Sequence, residues 1–350
     1  MKLTLIIPAA GKSSRFPTRP KFLLVNPNGK LMIEDCLSCI DFKNVKRICV
    51  GVLSEHLEKF CPDIDLGEIL SGYGVPVTII PLKEETSSPS ETVIKIIEEA
   101  NITGGIFIKD CDNCYSFVPE YGNFVVGLDT TKHKVTEMHN KSFLEMNYIG
   151  QLTNIVEKRV IGTIIGIGGY SFQDAFIFKE AYDILSIDCK KELLISHIII
   201  SLMLTGTVFS VQLSDKYYDW GTYEEWRRYC DLFGTYFCDI DGVLVYNSGE
   251  YGKKLWGSTD ELKGNAKKIR ELFKSGKNEI ILTTSRKEKF KKITEKQLKE
   301  LNIPYNRILY GLRHCKRVLI NDYSKYTNPY PSAIAINLQR DSDILDDLIR

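Results

Sequence analysis

The sequence lacks three features: a long hydrophobic segment, an excess of charge of one sign, and a cluster of histidines. It contains no run of about 18 or more apolar residues, so we expect no membrane-spanning helix. Its 350 residues carry a formal net charge of +1, which argues against a nucleic-acid-binding or membrane-binding surface. The five histidines are scattered and form no recognisable Ser/His/Asp or Cys/His set. Carboxylates, lysines and arginines therefore remain as the candidates for chemistry.

The length of the chain favours two domains over one compact domain. Hydrophobic residues make up 43% of the chain and charged residues 26%, which is ordinary for a globular protein. Residues 1–10 superficially resemble a secretion signal, but their apolar part is short and runs into a small-residue loop. We therefore expect a cytoplasmic protein.

Ten cysteines include two CxxC pairs, Cys36 with Cys39 and Cys111 with Cys114. The separation of the two pairs far exceeds that of a zinc ribbon, and no histidine lies near either pair. Cys36 and Cys39 are expected one turn apart at the start of a helix. Structural zinc stays an alternative, but we favour reduced, partly buried thiols.

A candidate phosphate-binding loop, residues 9–16, follows the first predicted strand at 3–8. Its small residues would let backbone amides approach a triphosphate, and Arg15 and Lys21 could neutralise the charge, with Lys12 as a further candidate. The loop has neither the GxxxxGK[ST] spacing nor the GxGxxG spacing of the common nucleotide motifs. Taken alone, it could also be an ordinary turn.

More strands and several charged residues follow along the first two thirds of the chain. Asp110 and Asp112 come directly after a predicted strand, a position suited to holding Mg²⁺ against phosphates. Lys158 follows another apolar strand, and Asp219 precedes a glycine turn. A helix with Ser90 as N-cap is predicted to end at Glu99. The additional strands are predicted at 48–52, 77–81 and 105–109.

Residues 1–232 resemble the sugar-phosphate nucleotidyltransferases. The matching segments, in the order of the family, are 8–15 with Pro20 and Lys21, 110–113, 156–158 and 219–222. The resemblance implies a Rossmann-like fold that joins an NTP to a sugar phosphate and releases pyrophosphate. The sequence departs from the family in its loop, where more glycine is common, and in Lys-Asp-Cys-Asp-Asn, where Gly-Asp is commoner.

The resemblance also implies roles on the nucleotide side. Gly11 and Arg15 would hold the triphosphate, and Lys21 would stabilise charge on the attacked α-phosphate. Two residues at the start of the helix would lie near the nucleoside: Glu91 and Thr92.

On the acceptor side, the resemblance implies that Asp110 and Asp219 share a Mg²⁺ ion and that Lys158 binds the acceptor phosphate. Asp112 is either a metal ligand or the cap of a turn, and we favour Asp110 because it ends the strand. An acceptor phosphate is already ionised and needs no base, so charge neutralisation and alignment would carry most of the catalysis.

A strand pattern restarts around Gly234 and marks a second domain, 233–350. Asp239 ends this strand, and Asp241 follows on the same face. A second strand is predicted at 280–282 and a third at 317–320. Because parallel strands place their carboxyl ends at one edge, we expect one polar cup there.

This second segment resembles the haloacid dehalogenase superfamily, most members of which are Mg²⁺-dependent phosphatases. The resemblance rests on the Asp239-x-Asp241-Gly-Val motif, Thr284 and a later acidic residue, Asp322. It implies that Asp239 attacks phosphorus and that Asp241 acts first as acid and then as base. Mg²⁺ would be bound by Asp239, the backbone carbonyl of Asp241, and Asp322.

Thr284 and a basic residue, Lys316 or Arg317, would hold the phosphoryl oxygens on this resemblance. Thr283 is an alternative phosphate ligand, and Arg286 is alternatively a surface cation.

Only 45 positions separate Asp239 from Thr284, and a predicted helix at 260–275 takes many of them. No large cap domain fits, so we expect a capless fold with an open site. The loop 246–259, with Tyr251 and Trp256, is either a local specificity element or an ordinary surface loop.

The sequence thus predicts two Rossmann-like α/β domains with mainly parallel sheets in one bifunctional enzyme. The expected partners are an NTP (CTP, UTP, dTTP or GTP) and a phosphorylated sugar or polyol, and Mg²⁺ is expected at both sites. No nucleic-acid partner is expected, and the chain could form a homo-oligomer. The fusion of the two domains in one chain suggests that their reactions belong to one pathway, such as surface-glycan (capsule) precursor synthesis. The alternatives are a single catalytic domain with a binding or scaffold module, and a nucleic-acid end phosphatase, which the near-neutral charge disfavours.

Overall fold

The computed structural model describes residues 1–11, 19–63, 65–133, 135, 137–187, 192–248, 255–322 and 333–349. The chain divides into two compact units, Met1–Cys230 and Asp231–Arg350. Within the described residues, no helix combines the length and the apolar character needed to cross a membrane.

The first unit is built around a nine-stranded sheet and a separate two-stranded ribbon. Its strands are β1 (Leu3–Pro8), β2 (Val45–Leu53), β3 (Val77–Leu82), β4 (Ile106–Lys109), β5 (Asn113–Tyr115), β6 (Phe124–Asp129), β7 (Ser142–Met146), β8 (Leu152–Glu157), β9 (Ile164–Phe172), β10 (Ser210–Leu213) and β11 (Tyr217–Asp219). The main sheet has the order β10-β6-β9-β4-β1-β2-β3, with β7 paired to β9 and β8 paired to β7. Strands β4, β1, β2 and β3 run parallel, whereas β9 is antiparallel to β4, β6 and β7.

In the described part of this unit the α-helices are α1 (Met32–Ser38), α2 (Ser54–Phe60), α3 (Leu66–Leu70), α4 (Pro89–Glu99), α5 (Ala175–Ser186), α6 (Ile195–Leu204) and α7 (Tyr223–Cys230). The predicted N-cap Ser90 is wrong, because α4 begins one residue earlier at Pro89 and the Ser88 hydroxyl accepts the cap hydrogen bond from Glu91 N. Proline suits this first helical position, since it has no N–H to leave unpaired. The predicted start of a helix at Cys36 is also wrong: Cys36 lies inside α1, and Cys39 is its C-cap.

The central strands are buried on both faces, as parallel strands covered by helices usually are. Leu5, Ile6 and Ile7 of β1 have no solvent exposure, and neither do the core residues Val93 and Ile96 of α4. The predicted strands at 3–8, 48–52, 77–81 and 105–109 all fall on strands of this sheet. The α/β prediction with parallel strands is thereby confirmed for this unit, and the parallel alignment of β1 and β4 brings their carboxyl ends to one edge.

The antiparallel ribbon of β5 and β11 carries a second set of charged residues to the same edge. Its register pairs Asp219 with Asn113. Trp220 N donates to the Asp112 carbonyl at 2.8 Å, and the fully buried Trp220 ring packs against Trp226 of α7. The turn that contains Trp220, more than 100 residues after Asp112 in the sequence, is thus fixed beside the end of β4.

The second unit contains three parallel strands, β12 (Gly234–Asp239), β13 (Asn278–Thr283) and β14 (Arg307–Leu309), in that order. Its helices are α8 (Lys263–Lys274), α9 (Lys291–Glu300) and α10 (Leu345–Leu348). Helix α8 lies within the predicted helix at 260–275.

The predicted strand at 317–320 is wrong: these residues form no strand, and Val318 and Ile320 are 69% and 91% exposed. The third strand is instead β14. Asn306, just before β14, exchanges hydrogen bonds with Ile280 through its backbone N–H and its side-chain carbonyl, both at 2.8 Å. This two-point contact fixes β14 next to β13 and gives it the place that the sequence assigned to 317–320.

Candidate functional site

The site of the first unit is organised by a lysine at the end of β4. Lys109 is fully buried, and its Nζ donates to the Asn113 side-chain oxygen at 2.6 Å and to the Asn113 carbonyl at 3.0 Å. The same ammonium lies 4.3 Å from the centre of the Tyr115 ring. These contacts close residues 110–113 into a turn. The sequence interpretation did not assign Lys109 a role, although a lone charge at the end of an apolar strand was a visible signal.

Lys21, the first residue of a short 3-10 turn, forms an ion pair with Asp112, which follows β4. Lys21 Nζ lies 2.6 Å from Asp112 Oδ2, and the two side chains are 26% and 21% exposed. Burial acts to lower the pKa of Lys21, but the charge of Asp112 outweighs it and raises that pKa. Burial likewise acts to raise the pKa of Asp112, but Lys21 outweighs it and lowers that pKa. Both groups are therefore charged at neutral pH.

Asp110 occupies a different environment two residues earlier. Burial, together with the neighbouring charge of Asp112, raises the pKa of Asp110 to about 7. Its backbone N–H donates to the Gly168 carbonyl at 2.9 Å, and its carboxylate lies where a side chain at Gly168 would stand. Gly168 has φ +75°, so a glycine is favoured here on both conformational and steric grounds.

A second lysine, Lys141, pairs with Asp219 on the opposite side of the turn. Lys141 Nζ also lies 3.4 Å from the Tyr217 hydroxyl, and Asp219 Oδ1 accepts a hydrogen bond from Gly221 N at 3.0 Å. Burial lowers the pKa of Lys141, although nearby carboxylates, first among them Glu225, act in the opposite direction. The sequence interpretation missed Lys141, which no motif marks.

Asp110, Asp112, Lys141 and Asp219 line one cavity of about 200 Å³. Its lining is mostly polar and includes five carboxylates and one lysine: Asp110, Asp112, Glu137, Asp219, Glu225 and Lys141. The rest of the lining is Asn113, Asn140, Ser142, Gly166, Ile167, Gly168, Tyr170, Tyr217, Gly221 and Thr222. Such a cavity suits a small, hydroxyl-rich ligand that can donate hydrogen bonds to carboxylates.

The sequence-predicted residues divide into three groups. Asp110, Asp112 and Asp219 are brought together around the cavity, with Lys21 held on Asp112. Lys158 does not line the cavity: it is exposed, and its backbone N–H donates to the Lys141 carbonyl at 2.9 Å.

Three further predictions concern the nucleotide side. Glu91 and Thr92 lie in the first turn of α4 and do not line the cavity; Glu91 accepts hydrogen bonds from Ser87, and the buried Thr92 hydroxyl contacts Thr86 at 2.6 Å. Gly11 is exposed beyond the end of β1. The predicted triphosphate ligands Lys12 and Arg15 lie outside the described residues.

The second unit places its two motif carboxylates at the end of β12. Asp239 is in register with Thr283 of β13, so a carboxylate and a hydroxyl share one edge of this sheet. Gly242, with φ +84°, then turns the chain, and its N–H donates to the Val245 carbonyl at 2.7 Å. The Asp-Gly turn that the sequence indicated is present.

Asp241 is bound by Arg286 through two parallel hydrogen bonds. Arg286 Nη2 lies 2.7 Å from Asp241 Oδ1, and Arg286 Nε lies 2.9 Å from Asp241 Oδ2. Arg286 is fully buried, and its Nη1 also donates to Gln297 at 2.9 Å and to Thr294 at 3.2 Å. The interpretation of Arg286 as a surface cation is therefore wrong. A guanidinium with this many partners fixes the orientation of the Asp241 side chain.

Burial raises the pKa of Asp239, and the charge of Arg317, one of the predicted phosphate ligands, acts to lower it, so Arg317 lies near the end of β12. Thr284 is fully buried, and its hydroxyl oxygen accepts a hydrogen bond from Arg286 N at 3.0 Å. Lys316, Arg317 and Asp322 are exposed and lie on or beside the segment that forms no strand. In the predicted loop, Tyr251 lies outside the described residues, whereas the Trp256 ring packs against Phe290 with 4.6 Å between centroids.

Among the residues that the structure describes, no group of three or more His, Cys, Asp or Glu could hold a metal ion by itself. This finding is compatible with Mg²⁺, because that ion commonly takes only one or two protein carboxylates and completes its shell with phosphate oxygens and water.

No protein-family model matches the chain, and no curated protein matches it. Solved structures do resemble it. A nucleoside-diphosphate-sugar pyrophosphorylase from Vibrio cholerae has a TM-score of 0.55 at 20% identity, over 65% of this chain and 99% of that one. A putative glucose-1-phosphate thymidylyltransferase from Bacillus anthracis has a TM-score of 0.52 at 16% identity, over 73% and 98%. A UDP-glucose pyrophosphorylase has a TM-score of 0.50 at 13% identity, over 66% and 98%. The first unit therefore has the fold of the sugar-phosphate nucleotidyltransferases.

Proposed function

We propose that the first unit transfers a nucleotidyl group from an NTP to a phosphorylated sugar or polyol and releases pyrophosphate. The observation that carries this proposal is the pair of lysine–carboxylate contacts, Lys21 with Asp112 and Lys141 with Asp219, whose carboxylates line one polar cavity beyond the end of β4. Charged groups at the carboxyl ends of parallel strands are where α/β folds bind ligands. The structural likeness to nucleotidyltransferases supports the same conclusion at the level of fold.

The chemistry of this step needs cations more than it needs a base. An acceptor phosphate oxygen attacks the α-phosphorus, and the bond from that phosphorus to the bridging oxygen breaks as pyrophosphate leaves. Lys21, whose charge is maintained by Asp112, is placed to stabilise negative charge as it develops on the α-phosphate. No histidine lines the cavity, in agreement with a reaction that abstracts no proton.

Asp112 and Asp219 are the residues that we propose as ligands of Mg²⁺. Both carboxylates lie within 4 Å of one point beside Gly221, the position of a side-chain carbon built on that glycine. Asp112 thus lies beside Asp219, whereas the Asp110 carboxylate lies against Gly168. We therefore favour Asp112 over Asp110 as the primary ligand, the reverse of the preference drawn from the sequence. Bound Mg²⁺ would supply positive charge to the phosphates.

Lys141 is our candidate for the cation that meets the acceptor phosphate. It lines the cavity and reaches Asp219, whereas Lys158 lies outside the lining. A lysine makes a single-point contact on a flexible stem, so Lys141 can transfer from a carboxylate to an incoming phosphate without a backbone movement.

A pyrophosphate-release screen tests this function. The full chain is incubated with Mg²⁺ and each of CTP, UTP, dTTP and GTP against a panel of sugar 1-phosphates and polyol phosphates. We expect release that depends on one nucleotide and one acceptor class, and that is lost in Lys21→Ala but retained in Lys59→Ala, a change at an exposed lysine of α2. Absence of acceptor-dependent release across the whole panel would refute the proposal.

For the second unit we propose hydrolysis of a phosphomonoester through an aspartyl-phosphate. The observation that favours it is the alignment of Asp239 with Thr283, beside an Asp241 held in one orientation by Arg286. Asp239 would attack phosphorus while Asp241 gives a proton to the leaving alkoxide. Asp241 would then accept a proton from water as that water attacks the aspartyl-phosphate, which releases inorganic phosphate and restores both residues.

Mg²⁺ at the second site would be held by Asp239, the Asp241 carbonyl and Asp322. Phosphate release from the same panel, with Asp239→Asn as the inactive variant, tests this activity. If Lys21→Ala removes only transfer and Asp239→Asn removes only hydrolysis, both units are enzymes. Phosphate release that persists in Asp239→Asn would refute Asp239 as the nucleophile, and absence of phosphate release from the wild-type protein across the panel would favour a binding or scaffold role for the second unit. We further propose that the two activities share a route to surface-glycan precursors, which requires that they accept a common metabolite.

A further inference from the structure

Two cysteine thiols from distant parts of the chain meet beside the site of the first unit. Cys39 is the C-cap residue of α1, and Cys114 is the middle residue of β5. Their sulfur atoms lie 2.8 Å apart, with the Cys114 thiol donating to the Cys39 sulfur. Neither side chain has a part in nucleotidyl transfer or phosphate hydrolysis as proposed above.

The backbone segments that carry the two thiols are already joined by hydrogen bonds. Phe117 N donates to the Cys39 carbonyl at 3.2 Å, and Asp41 N donates to the Phe117 carbonyl at 2.9 Å. The Cys114 backbone is in turn paired with Tyr218 in the β5–β11 ribbon. Since a disulfide joins sulfurs about 2.0 Å apart, a bond here requires the two atoms to approach by less than about 1 Å.

The two thiols differ in access. Cys39 is half-buried and lines an open cavity with Asp41, Ser116 and Phe117, whereas Cys114 is 4% exposed. A reagent in solvent can therefore reach Cys39 before it reaches Cys114.

We propose that Cys39 and Cys114 are a modification site, at which a low-molecular-weight disulfide such as oxidised glutathione converts the two thiols into an intramolecular disulfide. The Cys39 thiolate attacks one sulfur of the glutathione disulfide and displaces a first glutathione thiolate. Cys114 then attacks the Cys39 sulfur, and its proton goes to the second glutathione thiolate as that leaves. Two protein thiols are oxidised, and one glutathione disulfide is reduced to two glutathione thiols.

The position of the bond gives it a structural consequence. Cys114 adjoins Asn113, which holds the buried ammonium of Lys109, and lies two residues from Asp112. A Cys39–Cys114 bond would tie the end of α1 to the turn that carries Asp112. The oxidised protein should therefore show slower amide hydrogen exchange at 110–115 than the reduced protein.

Peptide mapping tests the proposal on the full chain. The native protein is incubated with excess oxidised glutathione, trapped with N-ethylmaleimide and digested without reduction. We expect a cross-linked pair of peptides that contain Cys39 and Cys114 and that separate on treatment with dithiothreitol. Cys111→Ser, which removes the CxxC partner of Cys114, should retain the cross-link, and Cys114→Ser should accumulate glutathione on Cys39 instead.

Wild-type protein alone can overturn the proposal, so the result does not depend on the folding of any variant. A cross-link within either CxxC pair, Cys36 with Cys39 or Cys111 with Cys114, contradicts it. So does a stable glutathione adduct on Cys39 with no cross-link, or the absence of any modification at both positions while the exposed Cys315 reacts.

Discussion

Replacement of Arg286 by methionine should destabilise the second unit more than any change at its surface. Arg286 is fully buried and donates four side-chain hydrogen bonds, two to Asp241 and one each to Thr294 and Gln297. Methionine retains an unbranched apolar stem but supplies none of these donors. The substitution therefore removes the charge and the donors with limited change in packing.

The size of the effect follows from what is left behind. The Asp241 side chain is 15% exposed, so its carboxylate would lose its cation in a largely buried place. Removal of one partner of a buried ion pair costs about 3–5 kcal/mol, and the partial exposure of Asp241 points to the lower end. Thr294 retains its hydrogen bond to the Phe290 carbonyl at 2.9 Å, whereas the Gln297 side-chain oxygen loses the Arg286 donor. We expect a loss of about 3–4 kcal/mol in the free energy of unfolding of this unit.

Native-state hydrogen exchange measured by mass spectrometry gives this free energy for the second unit within the full chain. The amides of β13 are the probe, because its last four residues are buried and it is the central strand. The matched control is Arg307→Met, since Arg307 is 73% exposed and pairs with Glu279 at 3.5 Å. An exposed pair contributes about 1 kcal/mol or less, so the control should scarcely change the exchange of β13.

A double substitution separates the ion pair from the loss of arginine packing. With Asp241→Asn added, no buried carboxylate remains uncompensated, so the double variant should recover part of the stability lost in Arg286→Met. The reasoning is refuted if Arg286→Met alters β13 exchange no more than Arg307→Met does. It is also refuted if the two changes at Asp241 and Arg286 are simply additive.

Three further predictions concern the first unit. Lys141→Ala should raise the KM for the acceptor phosphate by about tenfold or more, because removal of a charge-assisted hydrogen bond costs about 1.5–3 kcal/mol. In the same kinetic assay, the control Lys158→Ala should change this KM by less than about threefold. Gly168→Ala should lower the thermal unfolding temperature and reduce transfer, because its backbone has φ +75° and the added carbon meets the Asp110 carboxylate; an unchanged melting curve would contradict this. Asp112→Asn should raise the Mg²⁺ concentration needed for half-maximal pyrophosphate release more than Asp110→Asn does, and the opposite order would restore the sequence-based preference for Asp110.

The strands and their ends were predictable from the sequence because short apolar runs followed by charged residues determine both. Asp112 and Asp219 were placed at one site although they are far apart in the chain. Local patterns alone did not reveal this meeting; it follows from the pairing of β5 with β11, which sets Asp219 opposite Asn113. The motif resemblance supplied the information on pairing that periodicity lacks.

The contacts that the sequence did not reveal are those made by side chains across the sheet edge. Nothing in the neighbourhood of Lys141 distinguishes it from a surface lysine until the β7–β8 hairpin is formed, and Lys158, which a motif does mark, is the exposed member of that hairpin. Arg286 similarly follows a strand end where a surface cation is ordinary. Its burial depends on α9, which brings Thr294 and Gln297 over it.

The apolar segment at 317–320 shows the limit of pattern-based strand prediction. Its composition is that of a buried strand, yet β14 is paired with β13 and Ile320 is 91% exposed. Hydrophobic composition reports that a segment favours burial, but pairing depends on which segment can reach the open edge of the neighbouring strand. The two hydrogen bonds between Asn306 and Ile280 favour the pairing of β14, rather than 317–320, with β13.

Carboxylates at both sites are paired with cations, but the two kinds of pair should behave differently when a phosphate binds. Lys21 and Lys141 each reach a carboxylate through one ammonium nitrogen on a flexible stem, so each can exchange that carboxylate for a phosphate oxygen at little conformational cost. Arg286 makes a two-point contact from a fully buried position and has further partners in Thr294 and Gln297. It cannot leave Asp241 without leaving buried groups unpaired. The lysines are therefore suited to bind substrate. Arg286 is instead suited to hold the Asp241 carboxylate in position to act on substrate.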